Sequence, residues 1–102
     1  MIVVMTTVPN KEEAESLAEL IVERRLAACV QVLSEMRSFY VWEGTVQREP
    51  EHLLLIKTKV EKWDELCEFI TLNHSYTVPE IVAVEAERVS GPYREWLGSV
   101  VG

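Results

Sequence analysis

Residues 52–60 read HLLLIKTKV. Four consecutive apolar residues, Leu53 to Ile56, lie between a histidine and an alternation of lysines with Thr58 and Val60. The run is too short for a buried helix and suits a strand. Side chains alternate across a strand, so Leu54 and Ile56 share one face, and Leu53 and Leu55 the other. A strand that is apolar on both sides belongs to a sheet with both faces covered. What covers them decides the fold.

Upstream, Ala28 to Trp42 is rich in strand formers: Cys29, Val30 and Val32, then Phe39, Tyr40, Val41 and Trp42. Ser34-Glu35 is placed to bend it. Glu43-Gly44 and the polar stretch Gln47 to Glu51 read as the tip of a long β-hairpin that returns along His52 to Val60. Before the hairpin, Ile2 to Thr7 (IVVMTT) is another strand, broken at Val8-Pro9-Asn10. Asn10 with Glu13 three residues on resembles a capping box. Ala14, Leu17, Ala18, Ile21 and Val22 follow at helical spacing, and this helix is expected to end near Leu26.

After the hairpin, Trp63, Leu66, Cys67 and Ile70 mark a second amphipathic helix over Glu61 to Asn73. Val78 to Arg88 reads as a fourth strand, with Pro79 where no ladder donor is needed. Ser90-Gly91-Pro92 opens a last short helix. The order β-α-β-β-α-β plus a terminal helix predicts an α+β, ferredoxin-like sandwich in a single domain over residues 1–102. Both main helices then pack on one sheet face. The other face is apolar too, since Leu53 and Leu55 lie against Leu54 and Ile56, Val3 and Met5 against Ile2 and Val4, and Ile81 and Ala83 against Val82 and Val84. An apolar face of that kind predicts an oligomer that stacks open sheets, with the hairpin extending the contact.

Composition excludes several classes. Seventeen acidic residues against ten basic ones give a net charge of −7, with no Lys/Arg cluster of the kind nucleic acid requires. No apolar run reaches the roughly 18 residues of a membrane span. No signal-peptide pattern is visible at the N-terminus, which makes the cytoplasm the expected location. Cys29 and Cys67 do not form a C-x-x-C pair and read as free thiols. No H-E-x-x-H or G-x-S-x-G motif is present, and the chain reads as a non-enzyme.

Several separated motifs, ERRLAACVQ, YVWEG, E-x-x-LLLIKT, HSYTVPEI and GPYREWL, resemble in order and spacing the CutA divalent-cation-tolerance family, over nearly the whole chain. The resemblance implies a homotrimer of PII-like architecture, in which three sheets face one another and long hairpins clasp neighbours. It also implies divalent cations, Cu(II) among them, as ligands at clefts between subunits, with no metal required for folding. Some members are assigned copper ligands at positions that are here Thr6, Asn73 and His74, so only the histidine is retained.

Cys29 and His74 are therefore the candidate metal ligands, as a thiolate and a neutral imidazole suited to borderline and soft ions. For His74 the competing role is a loop or cap at a helix end, and for Cys29 a small core residue. Trp42, Lys57, Tyr76 and Glu80 are the candidate cleft residues. The resemblance implies that Tyr40, Trp42, Tyr76, Tyr93 and Trp96 cluster at a cleft between subunits, as an interface core, with Trp42 and Tyr76 also suited to line a pocket. Glu51 is expected to pair with a lysine or with water, and His52 to be exposed. Three functions follow: a trimeric cation-binding protein, a trimeric scaffold or small-ligand signalling protein without a metal role, and a Cys-His enzyme. A scaffold should tolerate loss of Cys29 or His74 yet suffer when interface residues such as Leu54 or Trp42 are truncated.

Overall fold

A computed structural model describes residues 1–102. Four strands, β1 (Ile2–Val8), β2 (Cys29–Trp42), β3 (Thr45–Thr58) and β4 (Val82–Glu85), form one antiparallel sheet in the order β2-β3-β1-β4. Helices α1 (Lys11–Glu23) and α2 (Trp63–Asn73) are the two crossovers, and α3 (Gly91–Val100) ends the chain. The fold is the expected ferredoxin-like sandwich with a long hairpin and a C-terminal helix.

The pairing register assigns the faces. Val4 opposes Ile56, and Thr6 opposes Leu54. These four side chains are fully buried, packed with Ala14, Leu17 and Ile21 of α1 and Leu66 and Ile70 of α2. Each large aliphatic side chain buried here contributes about 1.5–3 kcal/mol relative to exposure. Leu54 is thus core rather than interface. The alternate set, Val3, Met5, Leu53 and Leu55, is only half-buried, and Val82 and Val84 are exposed. This open face is not wholly bare: Tyr93 of α3 lies over one corner of it, with the Lys57 Nζ 5.8 Å from its ring centre.

Several boundaries differ from the sequence reading, each for a local reason. α1 stops at Glu23 because Arg25 turns left-handed, at φ 59°. The Leu26 N–H then reaches back to the Ile21 carbonyl and the Arg25 N–H to that of Val22, a Schellman closure made with arginine where glycine is usual. Of the expected capping box only half forms. Asn10 Oδ1 accepts from the Glu13 N–H at 2.8 Å, but the Glu13 carboxylate is used elsewhere.

The hairpin tip is just Glu43-Gly44, both at positive φ, the two-residue turn that matches strand twist. Gln47 to Glu51 is strand rather than tip. The ladder shifts register between Leu33 and Met36, where Ser34-Glu35 bulges. β1 accompanies β3 only from His52 onward. Beyond that point Met36–Glu51 is a two-stranded ribbon, and it stretches the molecule to 45 Å against 25 and 24 Å across. The ribbon exposes Phe39, Val41 and Val46 on one face and Tyr40 and Trp42 on the other. A two-stranded ribbon this apolar is marginal alone in water.

β4 is shorter than Val78 to Arg88. Only Val82–Glu85 pair, against Ile2–Met5. Cys67 is half-buried, and His52 is buried rather than exposed, its side chain on the helix-facing side opposite Val8.

Candidate functional site

Because β4 accompanies β1 only as far as Met5, the Thr6–Val8 end of β1 has no strand on its outer edge. The segment after α2 takes that place. α2 ends without a glycine; Asn73 Nδ2 instead donates to the Phe69 carbonyl and Thr71 Oγ1 to that of Cys67, both at 2.8 Å. The chain then extends, and the His74 side chain enters the sheet edge with none of its surface exposed. The Tyr76 N–H donates to His74 Nδ1 at 3.0 Å, so Nδ1 carries no proton. The proton is on Nε2, which donates to the Thr7 carbonyl at 2.8 Å. His74 supplies the donor that a longer β4 would have supplied. At 3.8 Å and with an unprotonated Nδ1 between them, Glu13 and His74 are neighbours rather than an ion pair. The Glu13 carboxylate instead accepts from the Ser75 N–H and hydroxyl, at 3.2 and 2.9 Å.

The same segment throws Tyr76 across to the open face. Its hydroxyl donates to Glu51 at 2.8 Å. Glu51 lies on that face because it alternates with Leu53, Leu55 and Lys57, and it is buried, not solvated or paired with a lysine. Between this contact and the base of the ribbon opens a cleft of about 610 Å³. Its walls are Ser38 to Tyr40 and Trp42 from β2, Thr7 and Glu51 from the sheet, and Ser75 to Val78 with Glu80 from the loop. Two carboxylates and four aromatic rings contribute, and no lysine, arginine or histidine does. The volume suits a small molecule.

Burial first, and then donation to the charged Glu51, hold the Tyr76 phenol above its ordinary pKa. A raised pKa in the fold means that the phenolic proton is bound more tightly there than in the unfolded chain. The associated stability is complete below pH about 10 and is lost as pH rises from there through the folded value. The wild-type denaturation midpoint is therefore expected to fall more steeply above pH about 10 than that of Tyr76→Phe. Parallel declines in the two proteins would remove Tyr76 as a source.

Of the residues singled out in the sequence, Trp42, Tyr76 and Glu80 meet at this cleft. Lys57 does not; it opposes Cys29 at the other end of the open face. There burial, and then Cys29 by its charge and by hydrogen bonding, raise the pKa of Tyr93. Lys57 stands four residues along β3 from Leu53, the partner of Thr7, a separation of about 13 Å. Cys29 and His74 are thus at opposite ends of the sheet and form no Cys-His pair within one chain. Thr6 is fully buried with its hydroxyl unpartnered, and the Asn73 amide is used in the helix end. No three His, Cys, Asp or Glu side chains converge as a metal cluster. The aromatics fall into two groups: Tyr40, Trp42 and Tyr76 at the cleft, and Tyr93 with Trp96, 5.5 Å apart, on α3. Glu51 and Glu13 were missed as organisers. For Glu51 the signal was available, in the same alternation that divides the leucines.

The CutA1 divalent ion tolerance protein family matches residues 2–100. The chain is 46% identical over 96 residues to the chloroplastic protein CutA of Arabidopsis thaliana, covering 94% of this chain but 53% of that one. It is 42% identical over 100 residues to the divalent-cation tolerance protein CutA of Thermus thermophilus, covering 98% and 97%. It thus spans about half the length of the plant relative and nearly all of the bacterial one. The solved Thermus thermophilus structure superposes with a TM-score of 0.96 over 100% of both chains. A structure of the periplasmic divalent cation tolerance protein CutA from Archaeoglobus fulgidus, 35% identical, does so with 0.96 over 100% of both.

Proposed function

Since the chain belongs to the CutA1 divalent ion tolerance family, we propose that it is a divalent-cation tolerance protein that works as a homotrimer and binds its ions, copper among them, at clefts between subunits. The observation that carries this reading is the cleft beside Tyr76. It brings Glu51 and Glu80 together on the sheet face left open by the helices, with no cationic side chain in its walls. Carboxylate oxygens serve divalent ions generally. A neighbouring chain stacked on the open face would supply the remaining donors.

The two candidate ligands enter on different terms. Cys29 is half-buried on the open face, where a second subunit can bring a partner to its sulfur. His74 can bind an ion only by giving up the Tyr76 amide or the Thr7 carbonyl. The compartment follows from neither; relatives named as chloroplastic and periplasmic stand beside the cytoplasmic expectation. No helix is long and apolar enough to cross a membrane. The engagement of both His74 nitrogens also favours a second reading, in which the trimer is a scaffold or small-ligand signalling protein.

Calorimetric titration of the reduced protein with Cu(II) and Zn(II) separates the two. Saturable binding is expected, weakened at least tenfold in Glu51→Gln/Glu80→Gln and little changed in a folded His74→Ala. Loss in Cys29→Ser or His74→Ala would relocate the ion to those residues. No saturable binding in the wild type would leave the scaffold or small-ligand reading.

A further inference from the structure

Glu51 is a carboxylate with only 6% of its surface exposed. It receives one hydrogen bond, from a neutral phenol. None of the ion pairs in the molecule includes it, and no basic side chain lines the cleft it faces. A buried carboxylate without a positive partner is costly. Here that charge sits at the floor of a cavity whose walls include the rings of Tyr40, Trp42 and Tyr76.

A small neutral molecule would leave the charge uncompensated, and an anion would be repelled by Glu51 and Glu80 together. A hydrated metal ion would meet the carboxylates but gain little from the aromatic walls. An organic cation uses both: its N–H groups have the lone pairs of Glu51 that Tyr76 leaves free, and its charge is attracted to aromatic faces within about 6 Å.

We infer that the cleft is a binding site for a compact protonated amine, its ammonium donating to Glu51 and its apolar body held between the Trp42 and Tyr40 side and Val78. This inference rests on the small-ligand reading of the cleft and requires the cleft to stay open in the assembled protein. Glu51 supplies the charge, Trp42 the aromatic wall, and Tyr76 orients Glu51.

The test is a calorimetric titration of the whole protein, in its native oligomeric state at pH 7, with benzylamine and with benzyl alcohol. The two have the same shape and differ in charge. Benzylamine is expected to saturate, with the alcohol at least tenfold weaker. Glu51→Gln keeps an acceptor for the Tyr76 hydroxyl and should weaken the amine tenfold or more. Trp42→Ala, on the exposed ribbon, should weaken it several-fold and serves if Glu51→Gln fails to fold. Equal affinity for amine and alcohol, no saturation, or an amine affinity untouched by both variants overturns the inference. A parallel Zn(II) titration keeps the readings apart. Zinc bound without amine leaves the metal proposal standing alone, and amine bound without zinc removes the metal from the cleft.

Discussion

His74→Ala is expected to lower the unfolding free energy by about 3 kcal/mol, the largest effect of any single change in the loop. The substitution removes two hydrogen bonds at once, to the Thr7 carbonyl and from the Tyr76 amide. Each abandoned buried backbone group costs roughly 1–3 kcal/mol. A vacated space is added, since the ring has no exposed surface. His74→Gln, which retains an amide donor and acceptor on a flexible stem, should recover part of the loss. Urea denaturation at constant protein concentration measures both. If His74→Ala costs less than about 1 kcal/mol, then the ring is not what secures the loop to β1, and a ligand role regains ground.

Leu55→Glu should convert the assembled protein to monomers without unfolding the subunit. Leu55 belongs to the half-buried set on the open face, opposite Met5 on β1 and Gln31 on β2. In the free subunit a glutamate there reaches water. In a stacked interface it is an unpaired buried charge, introduced once per subunit, at several kcal/mol each. Analytical ultracentrifugation reads the outcome, with circular dichroism checking that the fold persists. Leu54→Glu makes the contrast, because Leu54 is fully buried beneath the helices and its replacement should unfold the chain outright. Should Leu55→Glu sediment like the wild type, then subunits associate through the ribbon alone or not at all.

Hydrophobic alternation made the core legible. Reading Leu54 and Ile56 against Leu53 and Leu55 placed β3, and the same rule placed β1, while the register between them is set by the folded pairing. The helices were legible from 3.6-residue spacing because Ala14, Leu17 and Ile21 all point inward. Two things escaped for different reasons. The early end of α1 depends on Arg25 adopting a left-handed conformation, which its residue type does not advertise. The truncation of β4 depends on His74 and Ser75 holding the loop away from the ladder, through contacts with Thr7 and Glu13 more than 60 residues distant in sequence. Tertiary partners of that range leave no local pattern. Part of the cleft was nonetheless readable: Trp42, Tyr76 and Glu80 came from motifs, whereas Glu51 was obscured by its place in a stretch taken for a turn. Lys57 was misplaced because its distance along β3 from the cleft is set by register, not by proximity in the motif.

The way β1 ends also bears on a hazard that has nothing to do with ligands. Thr6-Thr7-Val8 is a β-branched segment whose outer edge lacks a strand. Bare edges of this composition invite a strand from another molecule, and growth of that kind does not stop. Here the Thr7 carbonyl is already taken by an imidazole. A side chain can fill a single rung but offers no next rung to copy, so the ladder ends with it. The histidine thus guards the sheet against misassembly, by being a partner that cannot propagate.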